Sequence, residues 1–143
     1  MRRAIPADDL LLPACRAWRR DCFLLAAGDF PSGRYNCMTV GWGGIGALWD
    51  RPVALVAVKP GRHTFDFLER FPTFTLSRFP ESYRRTLLYL GTHSGRDEDK
   101  IRESGLTPIA SAVAAAPEEA SRANGQSCGR WIVCSCVICG QAP

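Results

Sequence analysis

The stretch Tyr35 to Gly46, YNCMTVGWGGIG, opens like a β-strand and then places four glycines within six residues. Glycine in a strand adds backbone entropy to be lost on folding and supplies no side chain to pack, so such a run costs stability. Two readings account for it. One is a bulge or bend in the strand; the other is bare backbone against which a ligand lies closely.

The surroundings of this stretch set the fold class. Upstream, Cys22–Ala27 (CFLLAA) is an apolar run ended by Gly28 and Asp29, expected to be a buried strand, and Phe30–Arg34 (FPSGR) is a turn. Downstream, the valine-rich Pro52–Val58 is expected to be a third strand, buried on both faces. His63–Arg70 reads as a short helix with Phe65 and Leu68 on one face, and Thr73–Phe79 (TFTLSRF) alternates as a strand does. Pro80 stands where a first helical residue is expected, and Tyr83, Leu87 and Leu90 repeat at helical spacing as far as Gly91. Asp97–Ser104 reads as a further helix stopped by Gly105 and Pro108, and a short helix is expected around Cys15–Arg19. Strands at short intervals with helices between them predict a mainly β protein with helices, a small decorated barrel.

The bulk numbers fit one soluble domain. The chain has 143 residues, 46% hydrophobic and 22% charged, enough to bury a core without metal or disulfide. A net charge of +4 suits an anionic small ligand and gives little support to a nucleic-acid partner. The apolar runs are too short for a signal peptide or a membrane span, so no membrane association and a cytoplasmic location are expected. Seven cysteines, an odd number, favour free thiols over a disulfide framework. Four of them form C-x5-C-x-C-x2-C from Cys128 to Cys139, where only Cys136 and Cys139 have metal-ligand spacing, so no metal site is expected.

Three segments carry binding chemistry. Met38, Thr39, Val40, Gly41 and Trp42 can offer amides and a hydroxyl to a ligand edge. In Lys59–Thr64 a strand gives way to a helix whose first amides and partial positive charge favour an anion, with Arg62 and Thr64 in the turn. Arg62 as a solvated cation and Thr64 as a helix cap are the plain alternatives. In Gly91–Arg96 (GTHSGR) the glycine spacing is not that of a P-loop. A helix starting at Ser94 would put Arg96 and Lys100 on one face, where they either flank an anion or are neutralised by Asp97, Asp99 or Glu103. His63 and His93 have no nucleophile or carboxylate partner evident in the sequence, so no catalytic residue is assigned, and His63 reads as a surface imidazole.

In order along the chain, FLLAAGD (23–29), YNCMTVGWGGIGALWDRPVALVAVKP (35–60), GRHTFDFLE (61–69), FTLSRFPE (74–81) and GTHSGRDEDKI (91–101) resemble the flavin reductase-like, FMN-binding split-barrel family, which includes flavoredoxin. The resemblance implies FMN as cofactor. It puts the ring and ribityl chain along Asn36, Met38, Thr39, Val40, Gly41 and Trp42. The phosphate side falls to Arg62 and Thr64 together with Ser94, Gly95, Arg96 and Lys100, and His63 becomes a candidate contact to flavin or nicotinamide. It implies an NAD(P)H-dependent flavin reductase, with hydride passing from nicotinamide to flavin N5, and a homodimer. A flavoredoxin-like electron-transfer module without NAD(P)H turnover is the alternative. The resemblance stops near Pro108. The expected organisation is therefore a split barrel over residues 1–110 that lacks the family's C-terminal strands, followed by an atypical alanine- and cysteine-rich tail over 111–143. A truncated, inactive fragment is a further alternative on that ground.

Overall fold

A computed structural model describes residues 7–111 and 114, and the backbone strands at 118–121 and 132–135. The cysteine-spacing expectation for Cys128–Cys139 lies outside the described side chains.

Strand β1 (Phe23–Asp29) is the spine of the molecule. It pairs antiparallel with β2 (Arg34–Val40) on one side and β5 (Thr73–Ser77) on the other. Because side chains alternate across a strand, Phe23, Leu25 and Ala27 enter one core while Leu24 and Ala26 enter a second on the opposite face. The first core is closed by Trp18, from the turns that continue helix α1 (Ala14–Arg16), by Leu68 of helix α2 (His63–Arg70), and by Ala54 and Val56 of β4 (Arg51–Val56). The second is closed by Leu87 and Leu90 of helix α3 (Arg84–Thr92) and by Leu106.

The glycine stretch divides in two. Strand β2 ends at Val40, and a separate strand β3 (Gly43–Leu48) pairs with β4 to make a two-stranded ribbon. Its turn is Trp49-Asp50, both at positive φ (49° and 54°), the backbone of a tight two-residue hairpin in residues that seldom adopt it. Strand β4 is half exposed, so burial on both faces is corrected: Ala54 and Val56 are buried while Leu55 between them is 41% exposed. Trp18 explains two of the glycines. A β-carbon on Gly43 would lie 2.6 Å from Trp18 Cη2 and against the Leu55 carbonyl, and one on Gly41 would lie 3.1 Å from the Trp18 carbonyl. Around Gly44 and Gly46 there is open space.

The helix expected from Asp97 begins later, as α4 (Lys100–Ser104), with the Asp99 side chain accepting from the Arg102 amide as its N-cap. Beyond Gly105, in the left-handed conformation, runs β6 (Leu106–Ile109), which pairs with β7 (Glu118–Ser121). Strand β8 (Ile132–Ser135) pairs with β5, giving the sheet order β2-β1-β5-β8. Two strands from beyond residue 110 thus join the sheets of the preceding part.

Replacing Gly43 by Ala should lower stability by about 1–3 kcal/mol, because the added methyl has no room beside Trp18. Gly44→Ala, which meets open space, should stay within about 0.5 kcal/mol of the parent. Urea denaturation of both variants checks the pair.

Candidate functional site

Three segments distant in sequence converge on a buried amide. Asn36, on β2, is 4% exposed, and its Nδ2 donates to Thr64 Oγ1 in α2 at 2.9 Å. Gly95 presses on the other side: a β-carbon there would collide with Asn36 Oδ1 and sit 3.3 Å from His63 Cδ2. A bonded, buried amide of this kind fixes geometry, since leaving either partner unsatisfied costs about 1–3 kcal/mol. Thr64 is therefore a buried acceptor and not the helix cap. The N-cap is Arg62, whose side chain makes no capping bond; the Phe65 amide donates to the Arg62 carbonyl at 3.0 Å.

Two arginines tie the loops in opposite directions. Arg62 Nη1 donates to the Gly91 carbonyl at 3.2 Å, and Arg96 Nη1 donates to the Gly61 carbonyl at 3.2 Å. Arg96 Nη2 also donates to Asp66 Oδ2 at 2.6 Å, and this bond holds the Asp66 carboxyl below its ordinary range. His63 stands edge-on to Phe67, with Nδ1 buried, lacking a hydrogen-bond partner and 3.6 Å from Asp66 Oδ2. The imidazole is thus largely enclosed and not the surface group expected.

Other residues are turned to internal work. The Thr39 hydroxyl donates to the Leu87 carbonyl of α3, and Gly91 lies against Thr39, where a β-carbon would be 3.1 Å away. Met38 and Val40 are buried in the first core, so only their backbone is available to a ligand; β2 lies at the edge of its sheet. Trp42 is 77% exposed. Ser94 opens a turn, its hydroxyl accepting from the Arg96 amide at 3.2 Å.

Lys100 needs correction. No helix starts at Ser94, so Arg96 and Lys100 do not share a helical face. Lys100 is 3% exposed, and its Nζ donates to the carbonyls of Leu90 and His93 at 2.9 Å each. It satisfies the C-terminal end of α3, where a cation is favoured, while burial pushes its pKa down. Beside it, Tyr89 donates to Glu98 Oε2 at 2.9 Å; burial and that carboxylate push the phenol up to about 12.

The site therefore comprises the α2 N-terminus, Arg62, Arg96, Asp66, His63 and the edge backbone of β2. Asp66 was missed in the sequence, because an acidic residue in a first helical turn is ordinary. The donors fit a phosphate-bearing ligand: two guanidiniums with unspent N–H groups stand beside uncapped helix amides, and Gly61 between them has nothing within 4 Å of its missing β-carbon. A separate cavity of about 330 Å³, lined in part by Tyr35 at the start of β2, Arg102 and Leu106, touches none of Arg62, His63, Asp66 and Arg96. Among the described residues no group of three or more His, Cys, Asp and Glu could hold a metal ion.

Solved structures of other proteins share this fold. Flavoredoxin of Desulfovibrio vulgaris (Miyazaki F) is 28% identical, with a TM-score of 0.63 over 83% of this chain and 61% of that one. The FMN-binding domain of a flavin reductases-like enzyme from Shewanella baltica OS155 is 20% identical, with a TM-score of 0.67 over 85% and 60%. The FMN-binding protein from Thermus thermophilus, solved with bound 1-cyclohex-2-enone, is 22% identical, with a TM-score of 0.61 over 84% and 64%. The chain spans about three-fifths of the length of these structures, and the fold shared with them is the split barrel. No curated protein matches the chain. The description "Flavin reductase like domain" matches residues 20–126, and the chain belongs to the flavin reductase-like domain family.

Proposed function

We propose that the chain binds FMN and acts as an NAD(P)H-dependent flavin reductase, a cytoplasmic homodimer. The observation that carries this reading is the convergence of residues 36–42, 61–66 and 91–96 around Asn36, with two crossed arginines beside an uncapped helix end. FMN, when bound, supplies the hydride-accepting chemistry. The chain binds and orients. Arg62, Arg96 and the α2 amides grip the phosphate, Ser94 and Gly95 set the turn that presents Arg96, and the edge backbone from Asn36 to Trp42 meets the ribityl chain and ring. Asn36, Thr39 and Thr64 act through position, since the Asn36 amide nitrogen and both threonine hydroxyls are engaged within the protein. Lys100 stiffens the end of α3 from inside and has no part in the grip. The absence of an assigned acid–base residue is compatible with this chemistry, in which positioning and exclusion of water are the protein's share.

The homodimer reading has a surface to use. The ribbon leaves Leu48, Trp49 and Leu55 exposed, with Trp42 at its base, an exposed apolar set. Among the described residues no helix is long and apolar enough to cross a membrane.

A second reading, an electron carrier without NAD(P)H turnover, is favoured by the 28% identity to flavoredoxin. Anaerobic mixing of the FMN-loaded protein with NADH or NADPH separates the two: rapid bleaching of the yellow flavin supports the reductase, and persistent colour with both donors rejects it. Arg62→Ala should weaken FMN binding about 10- to 100-fold by removing one charge-assisted bond to phosphate, with little effect on riboflavin, as titration of flavin fluorescence would show. Sedimentation should give twice the chain mass, falling to one chain in Trp49→Asp; a wild-type monomer would refute the dimer.

A further inference from the structure

Asp66 is the part of the site that a simple anion-binding design does not need. Of the two crossed arginines, Arg62 is bonded to a neutral carbonyl, whereas Arg96 is bonded to a carbonyl and to the Asp66 carboxylate at 2.6 Å. The carboxylate sits in the first turn of α2, where the field of the helix amides favours negative charge. It thus occupies the electrostatic position an incoming phosphate would seek. Both partners reach solvent, the Asp66 side chain 38% exposed and that of Arg96 46%. An ion pair this open is weak and exchanges readily with water and solutes. His63 Nδ1, at 3.6 Å, is too far from Asp66 Oδ2 to hold the carboxylate by a hydrogen bond.

We propose that Asp66 is an internal competitor for Arg96: it occupies the guanidinium in the ligand-free chain and must yield it when the phosphate of a flavin mononucleotide arrives. This rests on the FMN reading above. Asp66 is then a specificity-determining residue. A phosphate dianion outbids one carboxylate for Arg96 and for the helix end. Monoanionic and neutral molecules gain too little to break the pair, and the site stays closed to them. The carboxylate also remains nearby after the exchange, so its repulsion moderates the affinity that two arginines would otherwise give.

Asp66→Asn keeps the shape and an acceptor for Arg96 but removes the charge. The variant should bind FMN roughly three- to tenfold more tightly than the parent, with riboflavin affinity unchanged. Inorganic phosphate should raise its melting temperature more than that of the parent, an arm that does not depend on flavin. In an Arg96→Gln background the same substitution should give a clearly smaller gain for FMN, because the contested guanidinium is gone and only the repulsion is relieved. Weaker or unchanged FMN binding by Asp66→Asn would overturn the proposal, as would an equal gain in the Arg96→Gln background. Melting without ligand verifies folding of each variant. A parent protein that binds no FMN would defeat the function reading, and the phosphate arm would still judge Asp66: no greater rise in the variant would overturn the competition.

Discussion

The amide of Asn36 is the point on which the site depends. It lies on an edge strand, bonds to a helix that follows the β3–β4 ribbon, and bears the pressure of a glycine from a third segment. The bond to Thr64 is 2.9 Å long, and the glycine leaves no room for a β-carbon. Because packed interiors are close to crystal density, such a node passes the position of one segment to the next with little slack. The crossed arginines can bridge the 61–66 and 91–96 segments only because Asn36 has already brought both to the same strand.

The cations in this region divide the labour by environment. Lys100 is withdrawn from water and closes a helix end, Arg62 bridges to a carbonyl, and Arg96 bridges to a carbonyl and a carboxylate. The same formal charge therefore does three different things, and spacing along the chain does not distinguish them. Arg78, at the end of β5, illustrates a fourth: it pairs with the largely buried Asp21, whose carboxyl it holds below the usual range, and so joins the end of the sheet to the N-terminal turns.

Much of the scaffold was legible in the residues. Helix α2 has the bounds its pattern suggests, His63 to Arg70, because a turn-forming Pro-Gly precedes it and β-favouring residues follow. Strand β1 was legible as an apolar run, but it continues through Gly28 to Asp29, whereas the expected end lay at Ala27. The ribbon was not, since Trp49-Asp50 lacks the Asn-Gly signature by which such turns are recognised, and the glycines before it blur the strand period. Nor was the division of glycines: Gly41 and Gly43 answer to Trp18, more than twenty residues upstream, a contact no local window contains. In the site, the residue types and the three segments were legible. What each polar group bonds to was not, because those partners lie 28 to 48 residues apart in the cases of Asn36, Arg62, Arg96 and Thr39.

With Lys100 sealed against the end of α3, the cations that bridge the two loops are guanidiniums. An ammonium begins to lose its proton in strongly alkaline solution, whereas a guanidinium keeps its charge to higher pH than proteins ordinarily meet. Alkali would therefore reach this region through the buried ammonium, whose pKa burial pushes down, and its neutralisation would slacken the end of α3 that leads into the 91–96 loop.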